Sequence, residues 1–360
     1  MRITTSRPSA LMALAAAGIA LAGCSSSSSP ASTAGAGSSS SASAGSSTGS
    51  ASAGSSTTYH LTGTAGLASD AFWISLQCGG TQEAAKLGAT IKWYASTSGT
   101  DNGIISQTVQ AAQLGNPSGI ILSPVGSYNY SPTLAALAAR HIPVIEPNST
   151  QGSPYYQAVE SPEQDPSVVS MADLIAKNTG GTGTVAVLAG IAAIPVINYR
   201  WQPLVAELKK VAPKLNVLGV QYDNFDSPTT AKIVSAEITA HPDLKAVWDT
   251  SGPEGIGAAS AVKAAGDSGK IGVYSYDAEP EEVSLLKQGV IQALLAQSPY
   301  DEGATAVKNM ITLLQSRASD PTAPIGKGTP FDIITPTMVL TPANVSQASS
   351  AAYEYSSTCS

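Results

Sequence analysis

Three cysteines, three histidines and a scatter of carboxylates are the residues of this chain that could do chemistry. Cys78 sits in "SDAFWISLQCGG", flanked by two glycines and preceded by the aromatic pair Phe72 and Trp73. As a nucleophile it would need a base nearby, but His60, His141 and His241 stand alone, with no motif around them. As a metal ligand it would need a second Cys or His at ligand spacing, and none has it, so no metal and no cofactor is expected. The remaining readings are a free thiol or a disulfide with Cys359, the penultimate residue. That bridge would close a loop of about 280 residues, for which the chain-entropy model gives about 5 kcal/mol. Asp249 and Asp277 could serve as the acid and base of a carbohydrate-active enzyme if their carboxyls stood about 5 to 9 Å apart.

Other chemical motifs fail. "GGTGTV" (180–185) precedes a strand instead of following one, so it reads as a turn and not a dinucleotide loop. "GPEGIGAAS" opens a helix but lacks the acidic residue that a dinucleotide site places further on. There is no phosphate loop and no G-x-S-x-G elbow. Glu281 and Glu282 read as solvated residues in the first turn of a helix, where they suit its dipole.

The ends of the chain bear on the cysteines. Arg2 and Arg7 lead into "ALMALAAAGIALAG", which is short for a membrane span of roughly 20 residues. Leu21, Ala22, Gly23 and Cys24 resemble a lipobox, so residues 1–23 are expected to be a lipoprotein signal peptide and Cys24 the lipidated residue. From Ser25 to Thr57 every residue is Ser, Ala, Gly, Thr or Pro. Such a segment has nothing to bury against its ordering entropy, so 24–57 reads as a tether. With Cys24 lipidated, two cysteines remain in an oxidising compartment, which favours their pairing while leaving the free thiol open. The net charge of −7 and pI near 5.0 argue against nucleic acid as a partner.

From Tyr59 onward short β-branched runs alternate with helical segments. Strands are expected at 90–96, 118–123, 142–148, 184–190, 216–222, 246–250, 270–277 and 290–297. Ile105, Val109 and Ala112 share one face of a helix over 102–115. Ser131 is expected to cap the next helix, with Pro132 at its first position. The alternation predicts an α/β fold of parallel sheets covered on both faces, and "YQAVESPEQDPS" (156–167) is where two lobes would part.

In open parallel sheets ligands bind outside the carboxyl ends of strands. The residues there are Phe72 and Trp73 after the first strand, Asn148, Ser251, Asp277 and Gln297. Aromatic faces with scattered Asn, Ser, Asp and Gln suit an uncharged, polyhydroxylated ligand: the rings meet the C–H side of a sugar and the polar groups its hydroxyls.

Over roughly Tyr59–Pro342 the chain resembles the type I periplasmic binding proteins, in the ribose- and galactose-binding branch that serves ABC sugar importers. "DAFWISLQCGGTQEAAKLGATI" resembles the family's opening, "QTVQAAQLGNPSGIILSPV" its second repeat and "ARHIPVIEPN" its "GIPVV" strand. "LKAVWDTSGPEGIGAASAVKAAG" and "GVYSYDAEPEEVSLLKQGVIQALLAQSPYDEGATAV" resemble its second lobe. The resemblance implies two Rossmann-like lobes with parallel sheets joined by a hinge: 58–162 plus 298–325, and 163–297 plus 326–345, with 346–360 a tail tied to the first lobe. It implies that Phe72 and Trp73 stack on the ligand and that Asp277 and Gln297 bind it. It adds Asn198, Arg200 and Phe225 to the ligand set on the second lobe. Asn148 stands where the family has Asp, Ser149 where ribose binders have Arg, Asn198 where Arg is usual and Ser251 where Asn is common. These departures remove charge-assisted hydrogen bonds.

The implied function is capture of a sugar-like molecule between the lobes and delivery to an ABC permease, without chemistry, by a monomer anchored to the outer face of the membrane. The other readings are a sensor of the same fold that signals to a membrane receptor, and the carbohydrate-active enzyme.

Overall fold

The computed structural model describes residues 58–98, 101–123, 125, 126, 128–148, 156–159, 166–322 and 335–359. The expected signal peptide, Cys24 and the Ser/Ala/Gly tether lie outside the described residues, as does Ser149.

The first sheet takes β1 (His60–Leu67), β2 (Thr90–Ser96), β3 (Gly119–Leu122), β4 (Val144–Pro147) and β5 (Tyr156–Val159), in the order β2-β1-β3-β4-β5. All its pairings are parallel. The connections are α1 (Ala71–Lys86), α2 (Asn102–Gln113) and α3 (Ser131–Ala139). The chain continues through α4 (Pro166–Thr179), β6 (Thr182–Ala189), α5 (Pro195–Val211), β7 (Lys214–Val217), β8 (Gln221–Tyr222), α6 (Ser227–Ala240), β9 (Leu244–Trp248), α7 (Gly252–Ala264), β10 (Gly272–Tyr276), α8 (Pro280–Lys287) and β11 (Ala293–Ala296). Helix α9 (Pro299–Ser316) then returns to pack on α1, β3 and β4, and β12 (Met338–Leu340) goes back to the second sheet, antiparallel to β11. The second sheet runs β12-β11-β10-β9-β6-β7, with β8 also on β6.

Alternation along the strands builds a core on each face. Ile121 and Ile145 pack with Ala84, Ala306, Val307 and Met310 of α1 and α9. Their neighbours Ile120, Leu122 and Val144 point the other way, onto Ile105 and Val109 of α2 and Leu134 and Leu137 of α3. In the second sheet Val185, Ala246, Trp248 and Tyr276 face α4 and α5, while Ala186, Val247, Val273 and Leu294 face α6, α7 and α8. Runs that are apolar at every position therefore become strands buried on both sides. The expected helical face of Ile105, Val109 and Ala112 is the buried face of α2.

Four details depart from expectation. The Ncap of α3 is Tyr130, not Ser131; Ser131 lies inside the helix and its N–H donates to Asn129 Oδ1 at 3.0 Å. The strand expected over 216–222 is two short strands on β6, which pairs β7 at Thr182–Val185 and β8 at Leu188–Ala189. Residues 156–159, read as part of a break between lobes, form β5 at the edge of the first sheet. Glu282 is fully buried, not solvated: it accepts from Ser275 Oγ at 2.6 Å and from the Glu279 N–H at 2.9 Å.

Cys78 and Cys359 are joined in a disulfide, with Cα atoms 5.3 Å apart. The glycine beside Cys78 has its own reason. A Cβ on Gly79 would run into the Tyr300 carbonyl of α9, which is backbone and cannot swing aside. Gly79→Ala is expected to push α1 and α9 apart and to lower unfolding stability by about 1–3 kcal/mol, measured by denaturant titration.

The tail after β12 reaches both lobes. Residues 348–353 form a 3-10 turn. The Tyr355 N–H donates to Ala278 O at 3.2 Å, the Ser356 N–H to Ser75 Oγ at 2.7 Å, and Lys287 Nζ meets Glu354 at 3.3 Å.

Candidate ligand-binding site

Both sheets reverse their winding order beside the first strand of each lobe, and in such sheets the crevice lies at the carboxyl ends of the strands. A cleft of about 450 Å³ lies there. The first lobe supplies Asp70, Phe72 and Trp73 after β1, Thr97 and Ser98 after β2, Val125 after β3 and Asn148 after β4. The second supplies Ile194, Ile197 and Arg200 around the start of α5, Asn224 and Phe225 after β8, Ser251 after β9, and Asp277 and Glu279 after β10.

The backbone at these strand ends is unusual. Among the described residues six non-glycine residues have positive φ, and four of them line the cleft: Asn148 (53°), Asn224 (61°), Phe225 (60°) and Asp277 (84°). Left-handed conformations are costly for L-residues, most of all for a bulky one such as Phe225, and they persist where surrounding contacts fix them. Phe225 is fixed by its N–H bond to Asp223 Oδ1 at 3.0 Å and by its ring lying against Gly190, where any Cβ would collide with it.

Asp277 is the hub. Its Oδ1 accepts from Gln297 Nε2 at 2.7 Å and from the Tyr355 hydroxyl at 2.9 Å, and its Oδ2 faces an Arg200 guanidinium nitrogen at 3.4 Å. Arg200, 4% exposed, also donates to Thr250 O at 3.0 Å and to Asn148 Oδ1 at 3.5 Å, and stacks 4.3 Å above the Tyr276 ring. Asn148 donates in turn to Gln297 Oε1 at 3.4 Å. One network therefore ties β4, β9, β10, β11, α5 and the tail.

The structure brings seven of the nine expected ligand residues to the cleft wall: Phe72, Trp73, Asn148, Arg200, Phe225, Ser251 and Asp277. Gln297, 1% exposed, lies behind them, donating to Asp277 and accepting from Asn148. Asn198 is not among the residues that line the cleft. Its amide donates to Ala192 O and accepts from Trp201 Nε1 and the Tyr222 hydroxyl. It sits two residues before Arg200 on α5, a spacing that puts the two on different helix faces. Asp249 is not on the wall either: it is fully buried and accepts from Ser275 Oγ at 2.5 Å. Among the described residues no group of three or more His, Cys, Asp or Glu could hold a metal ion.

Sequence reasoning missed Asp70, Glu279 and Tyr355. Asp70 was legible as the Ncap of α1, where its side chain accepts from the Trp73 N–H at 3.3 Å. Tyr355 gave no local signal; it is buried edge-on to Phe72, with ring centroids 5.5 Å apart.

Asp70 and Glu279 come from opposite lobes, line the same cleft and are close enough to interact electrostatically. Burial, then repulsion from Asp277, raises Asp70 to about 6. Burial, then repulsion from Asp70 and Asp277, raises Glu279 to about 8. Burial also pushes Asp249, Glu254 and Glu282 well up. A carboxyl whose pKa is higher in the folded than in the unfolded state binds more protons when folded, so its contribution falls as pH rises between the two values. The melting temperature is therefore expected to fall as pH rises from about 4.5 to about 8. Glu279→Gln should flatten the upper part of that slope, as differential scanning calorimetry across buffers will read.

Two lobes of parallel sheet enclosing a polar, aromatic-walled cleft define a solute-binding protein. The sequence model of the family described as "Periplasmic binding protein domain" matches residues 65–318. The chain belongs to that family. It is 24% identical over 274 residues to the D-allose-binding periplasmic protein of Escherichia coli (strain K12), covering 74% of this chain and 87% of that one. It is 27% identical over 249 residues to the ribose import binding protein of the same strain, covering 69% and 82%. Among solved structures, a carbohydrate transporter solute-binding protein from Agrobacterium radiobacter in complex with D-arabinose superposes with a TM-score of 0.72 at 21% identity, covering 83% of this chain and 99% of that one. A solute-binding protein from Agrobacterium vitis bound with α-D-tagatopyranose gives 0.70 at 24% identity, covering 83% and 99%. These likenesses establish the fold.

Proposed function

We propose that this chain is the solute receptor of an ABC importer: it captures a sugar or sugar-like molecule between its lobes and presents it to the membrane permease. The observation that carries the reading is the cleft itself, lined by the aromatic rings of Phe72, Trp73 and Phe225 and by Asn148, Ser251 and Asp277 at strand ends. Its volume of about 450 Å³ lies within the range of small-ligand sites. Its relatives, an allose-binding and a ribose import binding protein, agree with a sugar ligand. The lobes are taken as 58–162 with 298–325 and 163–297 with 326–345, and closure as bending about the crossings between them.

The protein is read as extracytoplasmic, monomeric and held at the outer face of the membrane by lipid on Cys24. Among the described residues no helix is long and apolar enough to cross a membrane. It is read as a binding protein and not an enzyme, since Asp249 is buried away from the cleft wall where Asp277 lies.

A thermal-shift screen of the domain from Tyr59 onward tests the reading, with pentoses, hexoses, polyols, disaccharides, nucleosides and aromatic metabolites as the panel. A ligand that binds the native state must stabilise it, so a dose-dependent rise in melting temperature is expected for a carbohydrate. A response confined to nucleosides or aromatic metabolites, or a flat panel, would overturn it. Recovery of a chemically altered sugar would overturn the non-enzymatic part alone.

A further inference from the structure

The wall of the cleft is rich in acid and poor in base. Asp70, Asp226, Asp277 and Glu279 line it, against one lining cation among the described residues, Arg200. Arg200 is engaged with Asp277. Asp226 is the exposed Ncap of α6 and accepts from the Thr229 N–H and hydroxyl. That leaves Asp70 and Glu279, on opposite lobes of the same cleft, with no other lining cation among the described residues.

The N-terminus of α1 offsets part of this charge. Asp70 accepts from the Trp73 N–H at 3.3 Å, and the amides of Phe72 and Ala71 favour the charged form of Glu279. A helix N-terminus carries roughly half an elementary charge, however, against two carboxyls. The shortfall is between one and two positive charges, and since burial raises both carboxyls a bound proton supplies part of it at neutral pH. An ammonium group would supply positive charge as well and form charge-assisted hydrogen bonds to both carboxyls. The aromatic wall of Phe72, Trp73 and Phe225 suits the same guest, because an aromatic ring face attracts a cation through its quadrupole. Ser251 Oγ, in a residue only 6% exposed, has no hydrogen-bond partner in the protein and belongs to the cleft wall, so a hydroxyl of the guest has a partner waiting.

We propose that the cleft takes a polyhydroxylated ligand bearing a protonated amine, an amino sugar or aminocyclitol, with the ammonium held between Asp70 of the first lobe and Glu279 of the second. This rests on the sugar-receptor reading and narrows its ligand class. It gives the site a reason to close, since the ammonium draws together two carboxyls that otherwise repel.

Isothermal titration of the mature chain at neutral pH tests it. The probes are D-glucosamine, D-galactosamine and 2-deoxystreptamine, set against N-acetyl-D-glucosamine, N-acetyl-D-galactosamine, D-glucose and D-galactose. At least one amine probe is expected to bind about tenfold or more tightly than every neutral probe, a difference of about 1.4 kcal/mol. Glu279→Gln and Asp70→Asn should each erase that preference, bringing the amine and neutral probes to within about twofold of one another. Asn keeps the cap on α1, so the second variant separates charge from folding. Neutral sugars that bind as well as the amines would overturn the inference and leave the sugar receptor standing. Silence from every probe would overturn the inference and leave the sugar receptor to the broad thermal-shift panel, and a preference that survives both variants would overturn the placement of the ammonium.

Discussion

Arg200→Ala is expected to lower unfolding stability by about 3 kcal/mol and to weaken ligand binding by at least about tenfold. The side chains of Arg200 and Asp277 are 5% and 11% exposed, so this ion pair is barely screened by solvent. Breaking a buried pair by removing one partner costs about 3–5 kcal/mol, because the remaining charge has lost its counter-ion in a poor solvent. The lower end applies here, since the contact is long at 3.4 Å and Asp277 keeps the donors Gln297 and Tyr355. Binding suffers separately. Arg200 also reaches Asn148 on the other lobe, so its loss frees two side chains of the cleft wall at once. Arg200→Lys should recover little, because an ammonium cannot span Thr250 O, Asp277 and Asn148 as a planar fork does. Denaturant titration and calorimetry on the same variants separate the two effects. An Arg200→Ala protein that binds with native affinity would remove Arg200 from the ligand site. Asn198→Ala is the matched control, two residues away with its amide turned to Ala192, Trp201 and Tyr222.

Loss of the disulfide is expected to be the larger blow to stability. The bond joins residues 281 apart. The chain-entropy model puts the effect of so long a loop at up to about 5 kcal/mol, with measured values running lower. Cys359→Ser, or reduction of the native protein, should lower the denaturant midpoint accordingly, and thiol titration should find no free thiol until a reductant is added. The bond also holds Tyr355 against Phe72 and Asp277, so reduction should weaken ligand binding even in protein that stays folded. Tyr355→Phe keeps the ring and removes the hydroxyl, leaving Asp277 one donor short; a loss of affinity there without a large loss of stability would locate the effect at Asp277. Unchanged affinity in both reduced protein and Tyr355→Phe would mean that the tail only staples.

How much of this was legible depended on the range of the interaction. Strand ends were legible because a doubly covered parallel sheet writes itself as short apolar runs, and the residue after each run is forced to the cleft. Asn148, Ser251 and Asp277 were found that way. The family resemblance supplied Arg200 and Phe225, which sit on a helix and a left-handed turn with no periodic signal of their own. It also supplied Asn198, where position on the chain was right and the helix face was not. Glu282 looked solvated because first-turn acids usually are; its burial depends on Ser275, seven residues earlier on β10. Tyr355 was out of reach, since its partner Asp277 is 78 residues away and nothing in "AAYEYSSTCS" points to it. The three-residue β12 was too short to carry an alternation.

The bond between Cys78 and Cys359 makes almost the whole described body a covalent ring. A protease that cuts once anywhere between those residues opens the ring without releasing a fragment, so both lobes stay on the same molecule and can remain docked through their shared core. A single cut before Cys78 frees the ring from everything N-terminal to it. Limited proteolysis should therefore show two classes of nick, one silent on a non-reducing gel and visible on a reducing gel, the other visible on both. For a receptor that works outside the cell, the vulnerable length of chain shrinks to the stretch that leads into α1.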